Sequence, residues 1–160
     1  MDLSNLKSDA KNVEAENKKF FAKLKRNTPR DLDDTTQRLH EEAFEVIDCT
    51  TCANCCKTTS PIFRDKDIDR ISKHLRMRPS DFIEKYLYQD EDKDYVLNDA
   101  PCPFLNNSNL CNIYDVRPNA CRQYPHTDRK NFHQILDMTL KNTEICPAVF
   151  RIVEELKKIY

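Results

Sequence analysis

The chain has no glycine in its 160 residues, and that absence constrains the fold before any motif is read. Glycine adopts positive φ without a steric penalty and lets backbone approach a phosphate closely. A Walker A loop and a Rossmann fingerprint both depend on it, so nucleotide binding of either kind is excluded on backbone grounds. Left-handed turns must be made by other residues, of which Asn and Asp are the most tolerant. The run Asn106-Asn107-Ser108-Asn109 is the expected place for one.

Charge narrows the partners. Lys and Arg total 26 and Asp and Glu total 27, a formal net charge of −1. Binding to nucleic acid draws on a basic excess that displaces counterions from phosphate, so none is expected. No apolar run reaches the ~18 residues of a membrane span, so no membrane partner is expected either. The first residues lack the apolar stretch of a secretory signal. The expected compartment is therefore the cytoplasm, where thiols stay reduced.

Apolar periodicity predicts a mostly α, irregular fold, α+β at most. Leu3, Leu6, Ala10, Val13, Phe20 and Leu24 recur at heptad-like steps, with Asn17 in the remaining slot. That stripe packs on its own domain or dimerises as a coil, and packing is favoured because the run barely reaches three heptads. Thr28-Pro29 reads as a helix cap and first position. A second helix follows, with Leu32, Leu39, Ala43, Val46 and Ile47 on one side. Residues 49–60 read as a cysteine-rich loop. Helices are expected over Asp67–Met77 and from Pro79 to Leu87, with Tyr95–Leu97 a short strand. The two short helices have the outline of a helix-turn-helix, against which the charge balance argues. Residues 100–126 are broken by Pro101, Pro103, Pro118 and Pro125, and a last helix carries Val149, Ile152, Val153, Leu156 and Tyr160. The expected organisation is an N-terminal helical extension, 1–45, and a small metal-organised domain, 46–160.

The chemistry lies in Cys49, Cys52, Cys55, Cys56, Cys102, Cys111, Cys121 and Cys146. Disulfides fit a reducing compartment poorly. Independent buried thiols behave as small hydrophobes, but four cysteines within eight residues, flanked by Thr, Asn and Lys, do not read as core. Metal ligation is favoured, and all eight are the expected ligand set. Cys49, Cys52 and Cys55 form two overlapping Cys-x-x-Cys turns, and a distant Cys-Pro is how bacterial ferredoxins complete a four-iron cluster. Cys102-Pro103 and Cys146-Pro147 are both such pairs. Neighbouring side chains diverge, so Cys55 and Cys56 are expected to serve different places. One would join Cys49 and Cys52, and the other the group Cys102, Cys111 and Cys121. Two four-ligand sites, or one cluster with additional thiols, satisfy this equally. The cofactor expected is an iron–sulfur cluster, with zinc as the alternative.

These motifs together resemble the YkgJ-like cysteine-cluster family, described as a zinc- or iron-chelating domain. Cys49–Cys56 reads CxxCxxCC. Cys102-Pro103-Phe104-Leu105 is similar to the family's Cys-Pro-Phe-Leu. Cys111-Asn112-Ile113-Tyr114, Arg117-Pro118 and Cys121-Arg122-Gln123-Tyr124-Pro125 resemble its Cys-x-Ile-Tyr-x-x-Arg-Pro-x-x-Cys-Arg-x-Phe-Pro. Cys146-Pro147 resembles its terminal pair. The chain departs from the pattern at Ala53 and Leu110, where glycine is usual, and at Tyr124, where Phe is usual. The resemblance spans about residues 46–150 and implies metal chelation. It is distantly similar to flagellin lysine N-methylases, which offers a lead toward group transfer.

No acid, base or nucleophile constellation marks a catalytic site, so whether the chain is an enzyme stays open. It reads as a metal-binding protein with a redox or group-transfer role, or as a non-catalytic zinc-stabilised module for a protein partner. Arg117 and Arg122 flank Cys121, either to stabilise thiolate charge or to hold the proline-rich loop through its carbonyls. Tyr114 and Tyr124 read as packing residues with bonded hydroxyls. His126 reads as neither ligand nor donor, and His40, His74 and His133 as surface or satisfied core.

Overall fold

The structure, a computed structural model, describes residues 3–160. It is mostly α-helical with one two-stranded sheet. The described chain divides into two compact units, residues 1–48 with 125–160 and residues 49–124. This partition by compactness differs from the expected division at residue 45.

The first unit is built from long amphipathic helices. α1 (Leu3–Asn12) and α2 (Glu14–Arg26) follow the predicted stripe in part: Leu3 is exposed, Val13 and Phe20 are half-buried, and Phe21 is the buried aromatic. Val13 departs from helical geometry, with φ −102° and ψ 3°. The ladder nonetheless runs on through it, Asn17 N–H donating to Val13 O at 2.9 Å. Leu6, Ala10, Phe21 and Leu24 are buried within the protein, so the stripe packs on its own chain as expected. Asn17 is fully buried among them, and neither its amide nitrogen nor its oxygen has a hydrogen-bond partner.

α3 (Leu32–Val46) begins later than Thr28-Pro29 predicted. The Thr28 hydroxyl donates to Leu24 O, closing α2 rather than opening α3, and Asp31 precedes the new helix. Leu32, Leu39 and Ala43 are buried, whereas Val46 is 70% exposed, contrary to the inward stripe expected of it. The Asp33 carboxylate of α3 accepts the Asn131 and Phe132 N–H groups at 2.7 and 2.9 Å. It thereby anchors a 3-10 turn (Phe132–Ile135) and α9 (Leu136–Asn142), neither of which was predicted. α10 (Pro147–Ile159) matches its prediction, with proline in its first turn and Val149, Ile152, Val153 and Leu156 buried.

The second unit uses short elements. The stretch expected as loop contains two helical turns, α4 (Cys49–Cys52) and α5 (Asn54–Thr58), joined by Ala53 at φ 47°. α6 (Asp65–His74) and α7 (Pro79–Tyr86) bury Ile68, Ile71 and Phe82. Leu87, expected inside a helix, instead starts β1 (Leu87–Gln89), which pairs antiparallel with β2 (Tyr95–Leu97). The turn between them rests on Asp90, whose Oδ1 accepts the Asp92 and Asp94 N–H groups. A 3-10 turn (Tyr114–Val116) and α8 (Asn119–Gln123) complete the unit. Its apolar cluster holds Phe63, Ile68, Ile71, Phe82, Leu87, Leu97, Phe104 and Ile113.

Positive φ falls at Ala53, Arg76, Lys93, Asn109, His126 and Asn131. Asparagine thus supplies two of the left-handed positions, one in the expected run, and long or small side chains supply the rest.

Candidate metal centre

None of the eight cysteines is joined in a disulfide. Cys146 belongs to the helical unit, buried directly before α10 with its N–H donating to Asn142 O at 2.8 Å. The other seven lie in the Cys49–Tyr124 unit.

Backbone contacts gather three of these seven, Cys56, Cys102 and Cys111. The Cys102 N–H donates to Cys56 O at 2.8 Å, tying the entry to the 100s segment onto α5. Residues 104–112 form a hairpin closed by the Asn112 N–H to Phe104 O bond and a Leu105–Cys111 bridge. The hairpin tip is built by asparagine. Asn106 Oδ1 accepts the Ser108 and Leu110 N–H groups, and Asn109 takes φ 61°. Leu110 needs no left-handed backbone, because the left-handed residue of this tip is Asn109. Asn109 Nδ2 also reaches Thr51 O on α4. Phe104 stacks on Phe82 with ring centroids 6.1 Å apart, and Cys102 and Cys111 pack against the same apolar cluster.

The electrostatics of the thiols report who neighbours whom. A hydrogen bond from Cys55, opposed by burial and helped by the Lys57 charge, pulls Cys56 down from 9.0 to about 7. Burial pushes Cys102 up to about 11 and Cys121 up to about 12, and it raises Cys111 as well. Cys56 adds to all three shifts, Cys111 adds to those of Cys102 and Cys121, and Cys102 adds to that of Cys121. Cys56, Cys102, Cys111 and Cys121 are therefore one electrostatic group. The adjacent Cys55 stays bonded to Cys56.

This donor set fits a metal by its chemistry. Two of its thiols already receive backbone amides, Cys102 from Phe104 and Leu105 and Cys111 from Ile113. N–H groups aimed at sulfur favour the thiolate that a metal requires. Arg117 acts in the same sense on Cys111 and Cys121. The arrangement is a neighbourhood rather than a finished cage. Among the described residues, no three His, Cys, Asp or Glu side chains stand set to hold an ion.

The arginines do both things weighed for them. Arg117 donates to Tyr114 O, and Arg122 donates to Arg117 O and Asp115 O, so both hold carbonyls while Arg117 also favours thiolate. Tyr114 is corrected: it is 58% exposed, and the Arg117 guanidinium lies 3.8 Å from its ring centroid. Tyr124 is half-buried. Burial, reinforced by Arg129, lowers the His126 pKa. His40 Nδ1 lies 2.7 Å from the Thr127 hydroxyl, and His74 is exposed.

Asp67 and Arg70, which sequence reasoning passed over, tie α6 to the segment leading into α8. An Asp three residues after a helix boundary signals capping, but its long-range partners carry no local signal.

A thiol-rich module with amide-cradled cysteines, grouped on short elements, belongs to the class of small metal-chelating domains. Residues 48–147 match the CxxCxxCC family, described as "Putative zinc- or iron-chelating domain", and the chain belongs to it. No curated protein and no solved structure matches the chain. Among the described residues, no helix is long and apolar enough to cross a membrane.

Proposed function

We propose that the Cys49–Tyr124 unit holds one thiolate metal centre, zinc or an iron–sulfur cluster, through Cys56, Cys102, Cys111 and Cys121. The observation that carries this reading is the mutual electrostatic reach of these four thiols, drawn from separate stretches of the chain. When bound, the metal supplies a cross-link in the zinc case or an electron carrier in the cluster case. The chain supplies the rest. Amides of Phe104, Leu105 and Ile113 and the charges of Arg117 and Lys57 offset thiolate charge, and the Phe82–Phe104 stack gives the site an apolar wall. Cys49, Cys52 and Cys55 form the remaining ferredoxin-like triple, with Cys49 exposed, and stand as a second ligand group.

A redox role belongs to the cluster case, in which the centre carries electrons, and group transfer is the alternative role for the same unit. The reading takes the compartment as the cytoplasm, where thiols stay available to metal, and any partner as a protein, in line with a net charge of −1.

Anaerobic purification with zinc, iron and acid-labile sulfide analysis tests the reading. Brown protein with iron and sulfide identifies a cluster, and colourless protein with stoichiometric zinc identifies a zinc site. Cys102→Ser and Cys111→Ser should each lower the metal content more than Cys49→Ser does. Equal loss in all three variants, or no metal in the parent, would overturn the assignment.

A further inference from the structure

Among the described residues, Asp67 is the one buried side chain that carries a formal charge, at 3% exposure. It sits in the first turn of α6, and its two oxygens face different tasks. Oδ2 accepts the Arg64 N–H at 3.1 Å and caps α6. Oδ1 accepts Arg70 Nη2 at 2.6 Å and the Asn119 N–H at 3.1 Å. Asn119 is the first residue of α8, the helix that carries Cys121.

Arg70 extends the grip upstream. Its Nη2 donates to Arg117 O at 2.8 Å and its Nε to Val116 O at 3.2 Å. Arg122 holds the same segment from within α8, through Arg117 O and Asp115 O. Val116 packs against the apolar cluster and Pro118 is buried, but few backbone bonds order residues 116–119 from within. Pro118 lacks an N–H, and α8 buries no side chain completely. A five-residue helix is far below the length that is stable alone. The start of α8 is therefore placed by polar ties to α6 together with this packing, and Cys121 follows from that start.

We propose that Asp67 and Arg70 are positioning residues for Cys121, holding the entry to α8 so that its thiol stays with those of Cys56, Cys102 and Cys111. The inference rests on the four-thiolate reading above. Neither residue touches the metal. Each acts through the backbone of 116–119, as outer partners of ligating groups do in other metal sites.

The test is Co(II) binding to the reduced full-length chain under anaerobic conditions, read by sulfur-to-cobalt charge-transfer absorption and by chelator competition. Asp67→Asn should weaken Co(II) affinity by about 10–100-fold and reduce the charge-transfer intensity as Cys121→Ser does. In a Cys121→Ser background, Asp67→Asn should change affinity by less than about 2-fold, because coupled residues are not additive. Arg70→Gln leaves the Arg64–Asp67 cap bond in place and removes the Arg70 bonds to Val116 O and Arg117 O along with those to Asp67 and Lys66, so it should reproduce the effect if Asp67→Asn fails to fold. Equal losses in the parent and Cys121→Ser backgrounds would mark a general folding role and overturn the proposal, as would unchanged affinity in Arg70→Gln. If Cys121→Ser itself leaves affinity and spectrum unchanged, the four-thiolate reading falls first, and that failure is distinguishable from the others.

Discussion

On α10 of the helical unit, Val149, Ile152, Val153 and Leu156 are each at most 1% exposed, whereas α4, α5 and α8 of the Cys49–Tyr124 unit bury no side chain completely. The first set of helices is long enough to present an apolar stripe and draws stability from packing it. The second set has four or five residues per helix, too few to offset the cost of nucleation. Polar ties hold these short helices in place: Asn109 Nδ2 to Thr51 O on α4, the Cys102 N–H to Cys56 O on α5, and the Asn119 N–H of α8 to Asp67. One unit is organised by burial. The other has its apolar cluster under α6 and α7, while its cysteine-bearing parts depend on chemistry.

The largest expected effect tests that contrast directly. Removing metal under reducing conditions should leave most helical circular dichroism intact and open residues 49–60 and 100–126 to proteolysis. Binding energy becomes ordering energy when a site is absent from the unfolded chain. Cleavage mapped by mass spectrometry checks it. Equal protease resistance in metal-free and metal-bound protein would show that these loops are organised without the centre.

A second effect follows from the thiols alone. Burial raises Cys102 and Cys121 to about 11 and about 12 in the folded chain, from a reference of 9.0. Between about pH 9 and 12 the unfolded chain has lost these protons while the folded chain retains them. It therefore binds fewer protons unfolded than folded, and stability falls as pH rises. Below about 9 both states are protonated and the contribution is intact. Metal-free protein should show a denaturant midpoint that declines from about pH 9 upward. Cys121→Ala should decline less steeply, and an identical slope would break the link to buried thiols.

The smallest effect sharpens the other side. Asn17 lies in a packed apolar stripe with its amide unbonded. A buried unpaired polar group costs about 1–3 kcal/mol, so Asn17→Leu should stabilise the helical unit by about that amount, seen as a higher denaturant midpoint. Destabilisation of similar size would show that the amide is satisfied by ordered water.

Legibility in the sequence followed the same divide. The stripes of α2, α3 and α10 were readable because burial repeats every 3.6 residues and leaves a period. The break at Val13 and the late start of α3 were not, since both depend on backbone bonds that any side chain permits. α4 and α5 read as loop because a single turn is too short for a period. β1 was absorbed into a helix because Leu87 continues the spacing of Phe82, Ile83 and Tyr86. The eight cysteines stood out in the sequence by their spacing. That Cys56, rather than Cys55, shares electrostatics with Cys102, Cys111 and Cys121 depends on the Cys102–Cys56 backbone bond and the hairpin fold. The grip of Asp67 and Arg70 on residues 116–119 joins parts of the chain too far apart for local pattern.

The hairpin of residues 104–112 also sets an order of encounter. Cys102 and Cys111 stand at its two ends, so they meet by closing one short loop that Asn106 and Asn109 already turn. Cys56 is separated from Cys102 by a stretch roughly two doublings longer, and each doubling adds about 0.6 kcal/mol to the entropy of closure. In a chain not yet folded, Cys102, Cys111 and Cys121 meet one another more often than they meet Cys56, since Cys121 lies only ten residues beyond Cys111. Cys56 joins them when the Cys102 N–H docks onto α5. A centre held by these thiols would begin on a local turn and end as a long-range cross-link.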